Sequence, residues 1–211
     1  MDAIEFPHTA RFRQAMRSLA SGALRHPEWL SPPMDAKGFS FRLILAEETS
    51  FAENWNSWLL LYSRSARRAL IRKSTWRCDR AEAQIRGLTL YRPDLVPQPL
   101  IEVRDAVAPA APWEAFLQRA ANLDFPALAP ADSIGLDGTS FFLSLNEGSR
   151  STTLEWWYDS PSVWKPLFDW TSTLRERADA AVEGSHVCLN GEGGPGAIRI
   201  NFPANFSAPV S

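Results

Sequence analysis

The chain is poor in the residues that most site chemistry draws on. It has two cysteines, Cys78 and Cys188, far apart and without a Cys-x-x-Cys spacing, so neither a zinc ribbon nor a dithiol redox motif can be built from them. They read as two free, buried thiols. Its three histidines, His8, His26 and His186, are scattered, and none stands at a metal-ligand spacing from a cysteine or carboxylate. No run of about 18 apolar residues occurs, which leaves no candidate for a membrane-spanning helix. Met1-Asp2-Ala3-Ile4-Glu5 lacks the basic region and apolar stretch of a secretory signal, so the expected compartment is the cytoplasm. The G-x-S-x-G, H-E-x-x-H and G-x-x-x-x-G-K-[ST] patterns are all missing, and no cofactor is expected. A net charge of −2 gives no general attraction to nucleic acid or to an anionic membrane.

What is present is an ordinary globular composition, 45% hydrophobic and 22% charged, which rules out whole-chain disorder. A chain of 211 residues can bury roughly 70% of its unfolded surface and needs no staple. One domain over 1–203, with 204–211 as a flexible tail, is the expected organisation. Arginine greatly outnumbers lysine and alanine and proline are plentiful, a composition that reads as a GC-rich bacterial genome. Nine tryptophans sit mostly inside periodic segments, which makes them core or interface residues first.

Phe12, Met16, Leu19 and Ala23 recur at helical spacing and predict a helix over 8–24, stopped by His26-Pro27 and Ser31-Pro32-Pro33. Phe39 to Glu47, Trp55 to Ser63 and Ala66 to Trp76 then read as strands whose short links favour antiparallel pairing. Leu88 to Tyr91 and Leu100 to Val103 look like short strands, and nearby Pro93, Pro97 and Pro99 argue for a long loop or edge strands rather than central ones. Ala106 to Pro112 reads as a stiff connector, leading into a helix over 112–122.

The most informative stretch is Leu136 to Val182. Phe141, Leu143 and Leu145 share one strand face, and Gly148 supplies the turn. On the return strand Leu154, Trp156 and Tyr158 share a face, so the adjacent Trp157 must point the other way. Asp159-Ser160-Pro161 signals a helix start, Leu167, Trp170, Thr171, Leu174 and Ala178 mark its buried stripe, and Gly184 ends it. Val187 to Leu189 is expected to pair with Ile198 to Phe202. The element order lacks regular strand–helix alternation. It predicts an α+β fold, a mostly antiparallel sheet with helices packed on one face. The residues Leu136-Asp137-Gly138-Thr139-Ser140, Trp156-Trp157 and Trp164-Lys165-Pro166-Leu167 resemble a pattern in small uncharacterised bacterial α+β proteins, which implies that fold and no activity.

Several residue sets carry possible chemistry. Gly191 to Gly196 matches G-x-G-x-x-G, yet the residues after it alternate like a strand, whereas a dinucleotide site needs a helix there. Arg64 to Arg80 is a cation-rich strip around Trp76, able to contact phosphates and stack a base, or to meet an acidic protein, or simply to face solvent. His186 lies two residues from Cys188, on one strand face, where an imidazole lowers a thiol pKa. Glu155 and Asp159 flank the tryptophan pair, an arrangement that would suit a glycosidase-like cleft.

The leading expectation is a non-enzymatic protein-binding protein, in form an immunity or accessory protein that neutralises a toxin or effector. Arg67, Arg72, Trp76 and Trp157 are its candidate contact residues. The alternatives are a small hydrolase using Glu155, Asp159 and His186, and a nucleic-acid-contacting module using Arg64 to Arg80. One indole of the Trp156–Trp157 pair is left exposed if only one sheet face is covered, and such aromatic patches mark partner surfaces.

Overall fold

The computed structural model describes residues 7–30, 34, 38–49, 54–81, 83, 98–120, 122–124, 126, 138–157 and 162–190. Its first element, α1 (Pro7–Arg25), buries Phe12, Met16, Ala20, Ala23 and Leu24 along one stripe. Pro27 ends it, because the residue before a proline is pushed out of the helical region, and a 3-10 turn (Pro27–Trp29) follows.

Four strands then run back and forth: β1 (Phe41–Thr49), β2 (Trp55–Ser63), β3 (Arg68–Trp76) and β4 (Ile101–Pro109). β5 (Thr139–Glu147) and β6 (Arg150–Trp157) form a hairpin that pairs back onto β1, while β7 (Val187–Asn190) pairs with β4. The result is a seven-stranded sheet in the order β6-β5-β1-β2-β3-β4-β7 with every neighbour antiparallel. The chain adopts the α+β class that its element order implies.

Two helices, α2 (Ala110–Ala120) and α3 (Lys165–Val182), cover one face. Their Trp113, Phe116, Leu167, Trp170 and Leu174 close over Leu43, Leu45, Trp58, Leu60, Ile71, Leu143 and Trp156. Phe116 and Trp170 stack with centroids 4.9 Å apart, tying the two helices together. The one-face expectation describes these two helices, and α1 lies over the opposite face. The reason is visible in β2, where Trp58-Leu59-Leu60-Leu61-Tyr62 is a continuous buried run rather than an alternating one. Such a strand is apolar on both sides and needs cover on both. Beneath α1 and Leu30 lie Ala46, Trp55, Trp76, Ile101 and Val103.

Two local readings change in the structure. Ala106 to Pro109 belongs to β4 rather than to a connector, and Pro109 is tolerated as the terminal strand residue, opposite Arg68. β4 lies inside the sheet, between β3 and β7. β7 pairs with β4 on one side, register Val103 to Cys188; the strand expected at 198–202, the glycine-rich loop, Leu88 to Tyr91 and the 204–211 tail lie outside the described residues. Arg67, with φ 48, closes the β2–β3 turn, and its carbonyl accepts the Ala110 N–H, which fixes where α2 begins. Gly184, with φ 75, occupies the left-handed position just after α3.

Candidate functional site

The four candidate contact residues separate into two kinds. Arg72 is completely buried on the α1 face, with Nε and Nη2 each 2.7 Å from the two Asp105 carboxylate oxygens. Its Nη1 donates to the carbonyls of Pro27 and Leu30. That side chain ties the turn after α1 to the middle of the sheet, and it offers no surface to a partner. Trp76 is buried too, edge-on to Trp55 at 4.7 Å. These two corrections share a cause: strands buried on both faces hide the residues that an alternating pattern would expose. Arg67 is exposed on its turn, and Trp157 is exposed at 55%.

The cations of 64–80 do not form one strip. Arg64 pairs with Glu147, Arg72 with Asp105, Lys73 with Asp179, and Arg77 and Arg80 with Glu102. Arg72 lies on the α1 face and Lys73 on the other, as successive strand residues must. Glu155 and His186 are not brought together either, since Glu155 is on the β6 edge, 2.8 Å from Arg25, and His186 precedes β7 on the opposite edge. Asp159 lies outside the described residues. Cys78 and Cys188 form no disulfide, and both are half-buried rather than buried. Among the described residues no group of three His, Cys, Asp or Glu side chains is placed to hold a metal ion. No described helix is long and apolar enough to cross a membrane.

The tryptophan pair divides as its strand geometry requires. Trp156 is buried with Phe141, Trp164 and Phe168 under α3. Trp157 points to the α1 face, where α1 stops at Arg25, whose guanidinium lies 4.8 Å from the Phe142 ring centroid and contacts Glu48 and Glu155. Beyond that, Ser151, Thr153 and Trp157 of β6 are exposed. Among the described residues β6 is an edge strand whose pairing is with β5, in unbroken one-to-one register from Arg150 to Trp157. It contains no proline or bulge, and its charged side chains are Arg150 and Glu155. The opposite edge, β7, spans only four residues.

Next to β6, on the α2–α3 face, is a groove of about 320 Å³. Its floor is a cross-strand row: Tyr62 of β2 opposite Phe41 of β1, which is opposite Glu147 of β5, which is opposite Arg150 of β6. Leu145 and Thr152 continue the floor, and Leu117 with Glu114 forms the α2 wall. Burial and the neighbouring Glu114 carboxylate both push the Tyr62 hydroxyl above the ordinary tyrosine range. Arg64 reaches Glu147 at 3.1 Å across the rim. Sequence reasoning missed this groove because its parts come from five elements, and only the tertiary arrangement assembles them. The half-apolar ends of β1 and β5 were its one sequence trace.

A second, polar cleft of about 510 Å³ lies beside the last turns of α3, and its Lys73 and Asp179 already pair with each other at 2.9 Å. Neighbouring Glu47 pairs with Arg175, yet burial, the larger influence, keeps its carboxyl above the ordinary glutamate range.

Comparison of the chain with family models, with curated proteins and with solved structures finds no match.

Proposed function

We propose that the protein acts by binding another protein, and that it does so by adding an extended segment of that partner to the β6 edge. One observation carries this reading: among the described residues β6 is an edge strand of eight residues, without proline or bulge, that ends in an exposed tryptophan. An edge strand turns about half of its backbone donors and acceptors outward, and main-chain hydrogen bonds to a matching segment supply affinity without sequence demands. Trp157 adds a large aromatic surface beside that ladder, and such residues dominate binding energy at interfaces. Among the described residues Ser151 and Thr153 on the α1 side of β6 are exposed. Neutralising a toxin or effector is the form that this activity takes in our reading, with the chain masking the partner rather than transforming a substrate.

Affinity-tagged protein recovered from its native host tests the proposal. The wild type should bring down a defined partner in stoichiometric amount. Thr153→Pro, which obstructs the edge, and Trp157→Ala should both lose it, while Glu183→Gln, exposed just before β7 at the opposite edge, keeps it. Recovery of free monomer only, or of the same partner with all three variants, would overturn the reading.

A further inference from the structure

We propose that the polar cleft beside the last turns of α3, toward the β7 side of the sheet, binds a small monocarboxylate with a polar body, and that Arg104 holds its carboxylate. The starting observation is a conflict in the sheet. Lys73 of β3 stands directly opposite Arg104 of β4, so both cations project side by side on the α2–α3 face. Like charges directly opposite each other on adjacent strands destabilise the pairing. The row beyond them on the same face is polar as well, Asn56 of β2 opposite Thr75 of β3, which is opposite Glu102 of β4. One row inward the face is apolar, with Leu60 opposite Ile71 and Ile71 opposite Ala106.

The surrounding charges leave one cation over. Lys73 reaches Asp179 of α3 at 2.9 Å, and Asp179 also accepts the Trp58 indole N–H at 2.7 Å. Glu102 is taken by Arg77 and Arg80, at 3.5 and 3.2 Å. Arg104 is half-buried and, among the described residues, has neither a hydrogen bond nor an ion pair. A guanidinium in that position presents its planar fork of donors to whatever enters the cleft. The fork matches a carboxylate, which it can hold through two parallel bonds.

The same balance sets the class of ligand. One surplus cation suits one negative charge. Glu102 and Asp179 line the cleft and Glu183 stands exposed at its rim, so a phosphate or a dicarboxylate would bring a second negative charge toward three carboxylates. The Trp58 ring is buried, with the Lys73 ammonium 5.5 Å from its centroid, and no other aromatic side chain lines the cleft among the described residues. That gives an uncharged sugar or a base no plane to stack on. Thr75 donates its hydroxyl hydrogen to Asn56 and so offers its lone pairs to a donor on the ligand. Hydroxy and amino monocarboxylates carry both the anion and such a donor, and about 510 Å³ has room for one.

Titration calorimetry with L-serine, L-lactate and D-gluconate, each beside its amide, tests this, with L-malate and inorganic phosphate as the multiply charged controls. At least one monocarboxylate should bind saturably, and its amide at least about tenfold more weakly. Arg104→Gln should lose at least about tenfold in affinity for that carboxylate and nothing for its amide, and Arg104→Lys should restore part of the loss. A second readout needs no ligand. Free of ligand, Arg104→Gln should melt no lower than the wild type, and higher at low ionic strength, because it relieves the repulsion from Lys73; an arginine kept for structure would do the reverse. Four results would each overturn the proposal: no saturable binding by any probe, malate or phosphate binding more tightly than every monocarboxylate, affinity indifferent to Arg104→Gln, or a lower ligand-free melting temperature for that variant.

Discussion

Replacing Arg72 by methionine should destabilise the fold more than any surface change, and its cost follows from its partners. The side chain is wholly inaccessible and makes two charge-assisted bonds to Asp105 and two bonds to the Pro27 and Leu30 carbonyls. Methionine keeps much of the volume, so the loss is mainly polar. Breaking a buried ion pair by removing one partner typically costs about 3–5 kcal/mol. Asp105 recovers part of this, because its side chain is 32% exposed and can rehydrate. The two carbonyls lose a charged donor in a buried setting, at roughly 1–3 kcal/mol each before relaxation. A net loss of about 3 kcal/mol is expected, corresponding to a fall in Tm of roughly 6–12 °C for a domain of this size. Urea unfolding followed by tryptophan fluorescence measures it, and the double variant Arg72→Met/Asp105→Asn should lose less than the two single losses combined. A loss below about 1 kcal/mol, or strict additivity, would refute the role given to this side chain.

The remaining predictions read other parts of the molecule. Trp156→Ala should cost about 3–5 kcal/mol, while the adjacent Trp157→Ala should change stability by less than about 0.5 kcal/mol, both by chemical denaturation. Glu28, held below the ordinary glutamate range because its bonds to His26 and Arg42 outweigh burial, binds a proton more readily when unfolded. Its contribution is present above the ordinary range and lost as the pH falls through its folded value, so Glu28→Gln should flatten acid unfolding. Glu47 has the opposite sign. With its folded pKa raised, mainly by burial, it weakens stability as pH rises from the ordinary glutamate value through the folded one, and Glu47→Gln should remove that dependence. Glu114→Gln should lower the Tyr62 titration midpoint, read from tyrosinate absorbance, toward the ordinary tyrosine value, while the share due to burial persists.

How much of this the sequence carried depended on how local each cause was. The hairpin of β5 and β6 was legible because alternation and Gly148 act within a few residues, and the opposite orientations of Trp156 and Trp157 follow from strand geometry alone. The stops at Pro27 and Gly184 were legible for the same reason. The division of helices between two faces was carried by the unbroken apolar run of β2, which alternation templates pass over. Arg72 misled because a charged residue in a strand usually points to water. Only the arrival of Asp105 from β4, and of two carbonyls from the turn after α1, makes its burial tolerable. Tyr62 and Glu114 stood outside every motif, and their proximity is a product of the β2–β3 turn, where Arg67 anchors the start of α2.

The path from β6 through α3 to β7 has a consequence for the order in which the molecule can be made. β1 to β4 are successive both along the chain and in space, so they can assemble as they leave the ribosome. β5 must then return to a strand synthesised long before, Glu147 finding Phe41, and β7 must find β4 on the far side of the sheet, Cys188 meeting Val103. Closing such long loops costs little more at equilibrium than closing short ones, but it slows the search. Until β5 arrives, β1 carries unpaired backbone along one edge, and until α3 arrives its Leu43 and Leu45 stay uncovered on one face. The nascent chain therefore passes through a stage in which its widest adhesive edge is β1, and only the last third of the protein moves that edge outward to β6.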